Sequence, residues 1–254
     1  SLLSLANWIA TQTGASVGYL SAAANTVGAQ LVKALPGEGG ANAGELLSSK
    51  PAKALLLLNV DPKLDAANPA AAAKAVNAAE MVVVLSPFKT GMDFADVLLP
   101  TAPFTETSGS FVNAEGRLQS FVGVVKPLGE TRPGWKILRV LGTMLGLSGF
   151  GQDSSEQIRN EALGVDANLS ARLNNASQAA VQLGQTQDVE RLADLPIYAS
   201  DALVRHASSL QLTADGRKAA VAHVSKALWE RLGLAEGARI SVSQDGAGTA
   251  QLPA

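Results

Sequence analysis

Four residues between Ala95 and Gln119 are of types that do chemistry: Glu106, Asn113, Glu115 and Arg117. Converged in a pocket, the carboxylates would serve as acid and base and Arg117 as an anion clamp. The competing arrangement is a buried loop network, with the carboxylates accepting hydrogen bonds from backbone and Arg117. The structural role is the preferred reading. A second set follows two apolar runs: Asn59 and Asp61 come after Ala54–Leu58, and Ser86 and Thr90 come at and after the end of 81–85. Ligands of open α/β sheets bind at the carboxyl ends of strands, so these four residues would line any cleft. Asp61-Pro62 and Ser86-Pro87 are also ordinary strand-ending turns, and turn chemistry alone is the preferred reading of them.

Other candidates fail on their context. Gly14-Ala15-Ser16-Val17-Gly18 matches G-x-S-x-G, but a nucleophile elbow needs a strand before the serine and a helix after it. Here a helix is expected before and a strand after. Gly129 and Gly134 have P-loop spacing, yet Trp135-Lys136 follows where Lys and then Ser or Thr are required, and Pro133 removes a donor from any phosphate nest. No G-x-G-x-x-G occurs. Cysteine is absent, which removes disulfides, thiolate zinc sites and iron–sulfur ligation from these residues. His206 and His223 are too far apart for a helical metal pair and read as solvated or hydrogen-bonded side chains. Neither a catalytic residue nor a metal site is expected.

The elements that must position these groups follow from hydrophobic spacing. Leu2, Leu3, Leu5 and Ile9 suit one helical face over Leu2–Thr13, ended by Gly14. Residues 17–20 read as a short buried strand, 22–35 as partly helical up to Pro36, and 45–49 as one helical turn. Ala54–Leu58 and 81–85 are continuous apolar runs, the pattern of strands covered on both faces. Between them Asn68 caps an alanine-rich helix that starts at Pro69 and runs to about Ala79. Residues 96–99 form another short strand, 100–119 a polar loop and 121–126 an extended segment. Pro133 starts an amphipathic helix closed by Gly146; a second helix spans Ser155–Leu163, ended by Gly164. A last helix is expected from about Ala219 to Leu232, then strands at Arg239–Gln244 and 249–252 around Asp245-Gly246. The fold class is therefore α/β: a parallel sheet flanked by helices, Rossmann-like, then a helical connection and the truncated start of a β-domain. The boundaries fall at 1–150, 151–195 and 196–254.

Composition narrows the partners. With 254 residues, 47% hydrophobic and 17% charged, the chain can bury a sizeable core, and a net charge of -2 gives no case for nucleic acid. The apolar runs are too short for direct membrane insertion. No Lys or Arg precedes Lys33, which argues against a signal peptide, and the missing initial Met reads as a piece of a longer protein.

The order strand, Pro100 stop, acidic loop and Asn113-Ala114-Glu115-Gly116-Arg117 resembles the third domain of the molybdopterin oxidoreductase superfamily. Leu35-Pro36-Gly37, Asn59-Val60-Asp61-Pro62 and the stretch from Pro127 to Leu147 occur in the family's order. In that superfamily the two strand ends approach a pterin dinucleotide, so Asn59, Asp61, Ser86 and Thr90 would be vestigial pterin-cleft residues. Val17-Gly18-Tyr19-Leu20-Ser21 and Ser86-Pro87-Phe88-Lys89-Thr90 look most like the cluster-bearing peripheral-arm subunit of bacterial NADH-quinone oxidoreductase, respiratory complex I. That resemblance implies a cofactor-free scaffold, with iron–sulfur clusters in an N-terminal portion of the parent chain. It also implies other subunits of the peripheral arm as partners, and a place at the cytoplasmic face of the bacterial inner membrane. The alternative is a piece of a catalytic molybdopterin-guanine-dinucleotide enzyme such as a formate dehydrogenase or nitrate reductase. A third is an unrelated α/β small-molecule binder.

Overall fold

Aliphatic runs bounded by proline and glycine set the order of elements. The structure, a computed structural model, describes residues 2–21, 23–165, 168–177, 180, 189–190, 192, 195–244 and 248–254. Helices α1 (Leu2–Thr13), α2 (Thr26–Leu31) and α3 (Ala43–Leu46) precede strand β1 (Ala54–Leu58). Helices α4 (Pro62–Asp65) and α5 (Pro69–Ala78) lead to β2 (Met81–Ser86) and β3 (Val97–Pro100). Strands β4 (Gly109–Val112) and β5 (Leu118–Phe121) come next, then α6 (Gly134–Met144) and α7 (Ser155–Leu163). Short helices α8 (Ala202–His206), α9 (Ser208–Gln211), α10 (Ala214–Lys218) and α11 (Lys226–Leu232) precede β6 (Arg239–Gln244) and β7 (Gly248–Pro253). Two compact units result: residues 1–60 with 75–185, and residues 61–74 with 186–254.

The first unit is organised by a parallel sheet in the order β1-β2-β3. Val82 and Val84 of β2 bury beside Val76 of α5, with Leu55, Leu57, Phe94 and Leu98 packed around them. Each fully buried aliphatic side chain contributes about 1.5–3 kcal/mol. This is the parallel sheet flanked by helices that the sequence predicts, but β1 is not covered on both faces: Leu56 and Leu58 are 47% and 38% exposed. Beyond it, β4 and β5 pair antiparallel, and Val112 closes a second cluster with Leu163 and Leu169.

Two expectations in this unit are corrected. Residues 17–20 do not form a strand: they find no strand partner, and Leu20 is 98% exposed. Side chains tether the segment instead, with Asn175 Nδ2 donating to the Val17 carbonyl and Tyr19 Oη to that of Leu3. The polar loop is in fact the β4–β5 hairpin. Its serines hide the strand pattern: Ser110 and Ser120 face each other with hydroxyl oxygens 2.8 Å apart. Phe111 and Phe121 pack edge to face at 5.4 Å. The run expected to be extended over 121–126 is strand only at Phe121.

In the second unit, β6 and β7 pair antiparallel from Arg239↔Pro253 to Gln244↔Gly248. The turn expected at Asp245-Gly246 lies outside the described residues. The helix expected from Ala219 starts only at Lys226, because Ser225 Oγ accepts the Leu228 N–H as N-cap. Ala222 instead donates its N–H to the Pro253 carbonyl. Arg205 and Asp65 form a partly exposed ion pair at 2.9 Å. Among the described residues no helix is long and apolar enough to cross a membrane.

Candidate functional site

The carboxyl ends of β1, β2 and β3 converge on a small polar cluster in the first unit. Asn59, just past β1, holds φ +53°, a left-handed conformation that asparagine tolerates better than branched residues. Its N–H donates to the Leu85 carbonyl at 2.8 Å, which keeps the residue registered on β2. Thr101, after β3, is 1% exposed and donates its hydroxyl to Asn59 Oδ1 at 3.4 Å, while its N–H reaches the Ser86 carbonyl at 3.1 Å. Ser86, 6% exposed, accepts the Phe88 N–H on Oγ, with Thr90 Oγ1 3.3 Å away. Asn59, Ser86 and Thr90 are thus brought together through Thr101, a residue the sequence reading did not single out. Its position directly after Pro100, at the end of β3, was the signal available.

This cluster is neutral. Its hydroxyls and the amide oxygen of the exposed Asn59 contact one another, and the exposed Lys89 is a cation of the Ser86–Thr90 turn beside them. Nothing in it is a nucleophile with a base beside it. Among the described residues there is no group of three His, Asp or Glu placed to hold a metal. Asp61 belongs to the second unit, where it caps α4: Oδ1 accepts the Lys63 N–H and its own N–H donates to Asp65 Oδ2 at 2.7 Å.

The loop residues divide. Asn113 Oδ1 accepts the N–H groups of both Glu115 and Arg117, at 3.0 and 2.9 Å, and so sets the hairpin loop. Gly116, at φ +81°, sits where a Cβ would press on the Ser170 backbone at 2.9 Å. The Glu115 and Arg117 side chains are not buried: they are 76% and 71% exposed and meet at 4.0 Å. Glu106 lies elsewhere, its Oε2 accepting the Leu128 N–H at 3.0 Å. It lines a cleft of about 650 Å³ together with Val124, Val125, Lys126, Arg132, Trp135 and Lys136, a feature the sequence reading also missed. The acid–base–clamp arrangement of Glu106, Glu115 and Arg117 is not built. The G-x-S-x-G residues follow α1 with no strand on either side, so no nucleophile elbow forms.

The sequence profile of the molybdopterin oxidoreductase family matches residues 1–144. The chain belongs to that family. Over 55 residues it is 47% identical to the mitochondrial NADH-ubiquinone oxidoreductase 78 kDa subunit of Candida albicans, covering 22% of this chain and 8% of that protein. Over 53 residues it is 47% identical to a formate dehydrogenase-like protein of Staphylococcus aureus, covering 21% of this chain and 5% of that one. This member of the family thus spans a small part of the length of the relatives it matches. The acetylene hydratase structure from Pelobacter acetylenicus overlaps 47% of this chain and 17% of its own, with TM-score 0.39 and 23% identity.

Proposed function

We propose that this member of the molybdopterin oxidoreductase family is the C-terminal scaffold portion of the cluster-bearing subunit of a bacterial NADH-quinone oxidoreductase, the proton-translocating respiratory complex I. In this role it supports electron transfer from NADH through iron–sulfur clusters to quinone while holding no cofactor itself. The observation that supports this most is the strand-end cluster, whose side chains are neutral and bond to one another. A pterin dinucleotide carries a diphosphate, which proteins bind with cations, free backbone N–H groups or helix N-termini. Asn59, Ser86, Thr90 and Thr101 offer neutral groups that already bond within the protein. As placed, these four do not fit the diphosphate. The 47% identity to the 78 kDa subunit agrees with this reading. On it, the iron–sulfur clusters belong to a part of the parent chain outside these 254 residues. The partners are peripheral-arm subunits, at the cytoplasmic face of the bacterial inner membrane. Residues 196–254 would then open a C-terminal β-domain.

A second reading is favoured by the equal identity to the formate dehydrogenase-like protein. This chain would then be part of a catalytic molybdopterin-guanine-dinucleotide enzyme, and Asn59 and Thr90 would turn from Thr101 and Ser86 toward the dinucleotide. Asn59→Ala in the full-length parent separates the two. On the scaffold reading the assembled variant keeps its NADH-to-quinone rate within about 2-fold, since the side chain holds only a long hydrogen bond from Thr101. A stably assembled variant that has lost turnover supports the second reading instead.

A further inference from the structure

The cleft beside α6 inverts the charge of the chain as a whole. The net charge is -2, yet three cations, Lys126, Arg132 and Lys136, line the cleft against one acid, Glu106. That carboxylate is engaged by the Leu128 N–H. Arg132 is held in place by Nη1 donating to the carbonyls of Gly129 and Thr131, and its contact with the 94% exposed Glu130 is a loose 3.8 Å. Among the described residues neither Lys126 nor Lys136 pairs with a carboxylate. Lys136 Nζ lies 5.3 Å from the centre of the Trp135 ring. Between the cations the walls are apolar: Val124 and Val125 are 78% and 58% exposed.

A bare anion would satisfy the cations and leave the valines against water. A chain segment with an apolar side chain between carboxylates would satisfy both. We infer that the cleft docks a short acidic peptide segment. Its apolar side chain enters against Val124, Val125 and Trp135, and its carboxylates meet Lys126, Arg132 and Lys136. The volume, about 650 Å³, is within the range of pockets that enclose such a group. This inference does not depend on which branch of the family the parent belongs to.

The chain has three tryptophans, so Trp8→Phe with Trp229→Phe leaves Trp135 as the reporter. The probe is the blocked peptide Asp-Glu-Phe-Glu-Asp, titrated into this 254-residue variant at low salt. The expected result is a saturable change in Trp135 emission, weakened at least about 10-fold by Lys126→Ala/Lys136→Ala and by moderate salt. Lys126→Arg/Lys136→Arg, which keeps the charge, should retain affinity within about 3-fold. Equal responses to the uncharged peptide Asn-Gln-Phe-Gln-Asn would overturn the inference. So would inorganic phosphate matching the acidic peptide, or no saturable change up to about 5 mM.

Discussion

Asn113 holds the hairpin loop by accepting two backbone N–H groups on one oxygen, whereas Glu115 and Arg117 contribute chiefly their backbone. Truncating Asn113 to Ala leaves both donors without that acceptor and should cost about 1–2 kcal/mol in urea denaturation. Glu115→Ala and Arg117→Ala, acting on an exposed pair at 4.0 Å, should each stay within about 0.5 kcal/mol. Equal losses for all three would restore the charged network. The residue types of this loop were visible in the sequence. The way the loop is held was not, because Ser170, 55 positions on, donates its hydroxyl to the Glu115 carbonyl at 2.8 Å. Thr101 was overlooked for a related reason: its place after Pro100 was visible, but the contact that gives it importance is with Asn59, 42 positions away.

At the scale of elements, legibility followed local punctuation. Asn68 with Pro69, Pro133 and the glycines at 14, 146 and 164 announce helix ends through capping and positive φ, and the helices stop or start there. The β4–β5 hairpin was hidden because its strands, Gly-Ser-Phe-Val and Leu-Gln-Ser-Phe, are short and half polar, and Val112 buries only by meeting Leu163 and Leu169. Within α6, Gly142 faces the Phe150 ring so closely that a Cβ would stand 2.4 Å from it. Gly142→Ala should therefore lower the melting temperature, although alanine is the better helix former by about 1 kcal/mol. A rise would show that Phe150 yields freely.

Helix α7 gives a pH signature. Its first-turn Glu156 has a carboxyl held below the ordinary value of 4.5, first by its own backbone N–H and then by the Ser154 hydroxyl. A folded value below the unfolded one means that the stabilisation is present above about 4.5 and disappears as pH falls through the folded value. The melting-temperature gap between the protein and Glu156→Gln should thus shrink as pH is lowered from about 6 to about 3. A gap constant across that range contradicts this assignment.

On the scale of the whole molecule, the membership of residues 1–144 in the molybdopterin oxidoreductase family meets a strand-end cluster that is neutral and internally bonded. That combination is what the scaffold reading explains. The content of the parent protein separates the scaffold reading from the catalytic one. The decisive measurement is metal and pterin analysis of the full-length parent purified from its native host. The scaffold account predicts iron without molybdenum, tungsten or pterin. Stoichiometric molybdenum or tungsten together with pterin would contradict it and make Asn59, Ser86 and Thr90 part of a working cofactor cleft.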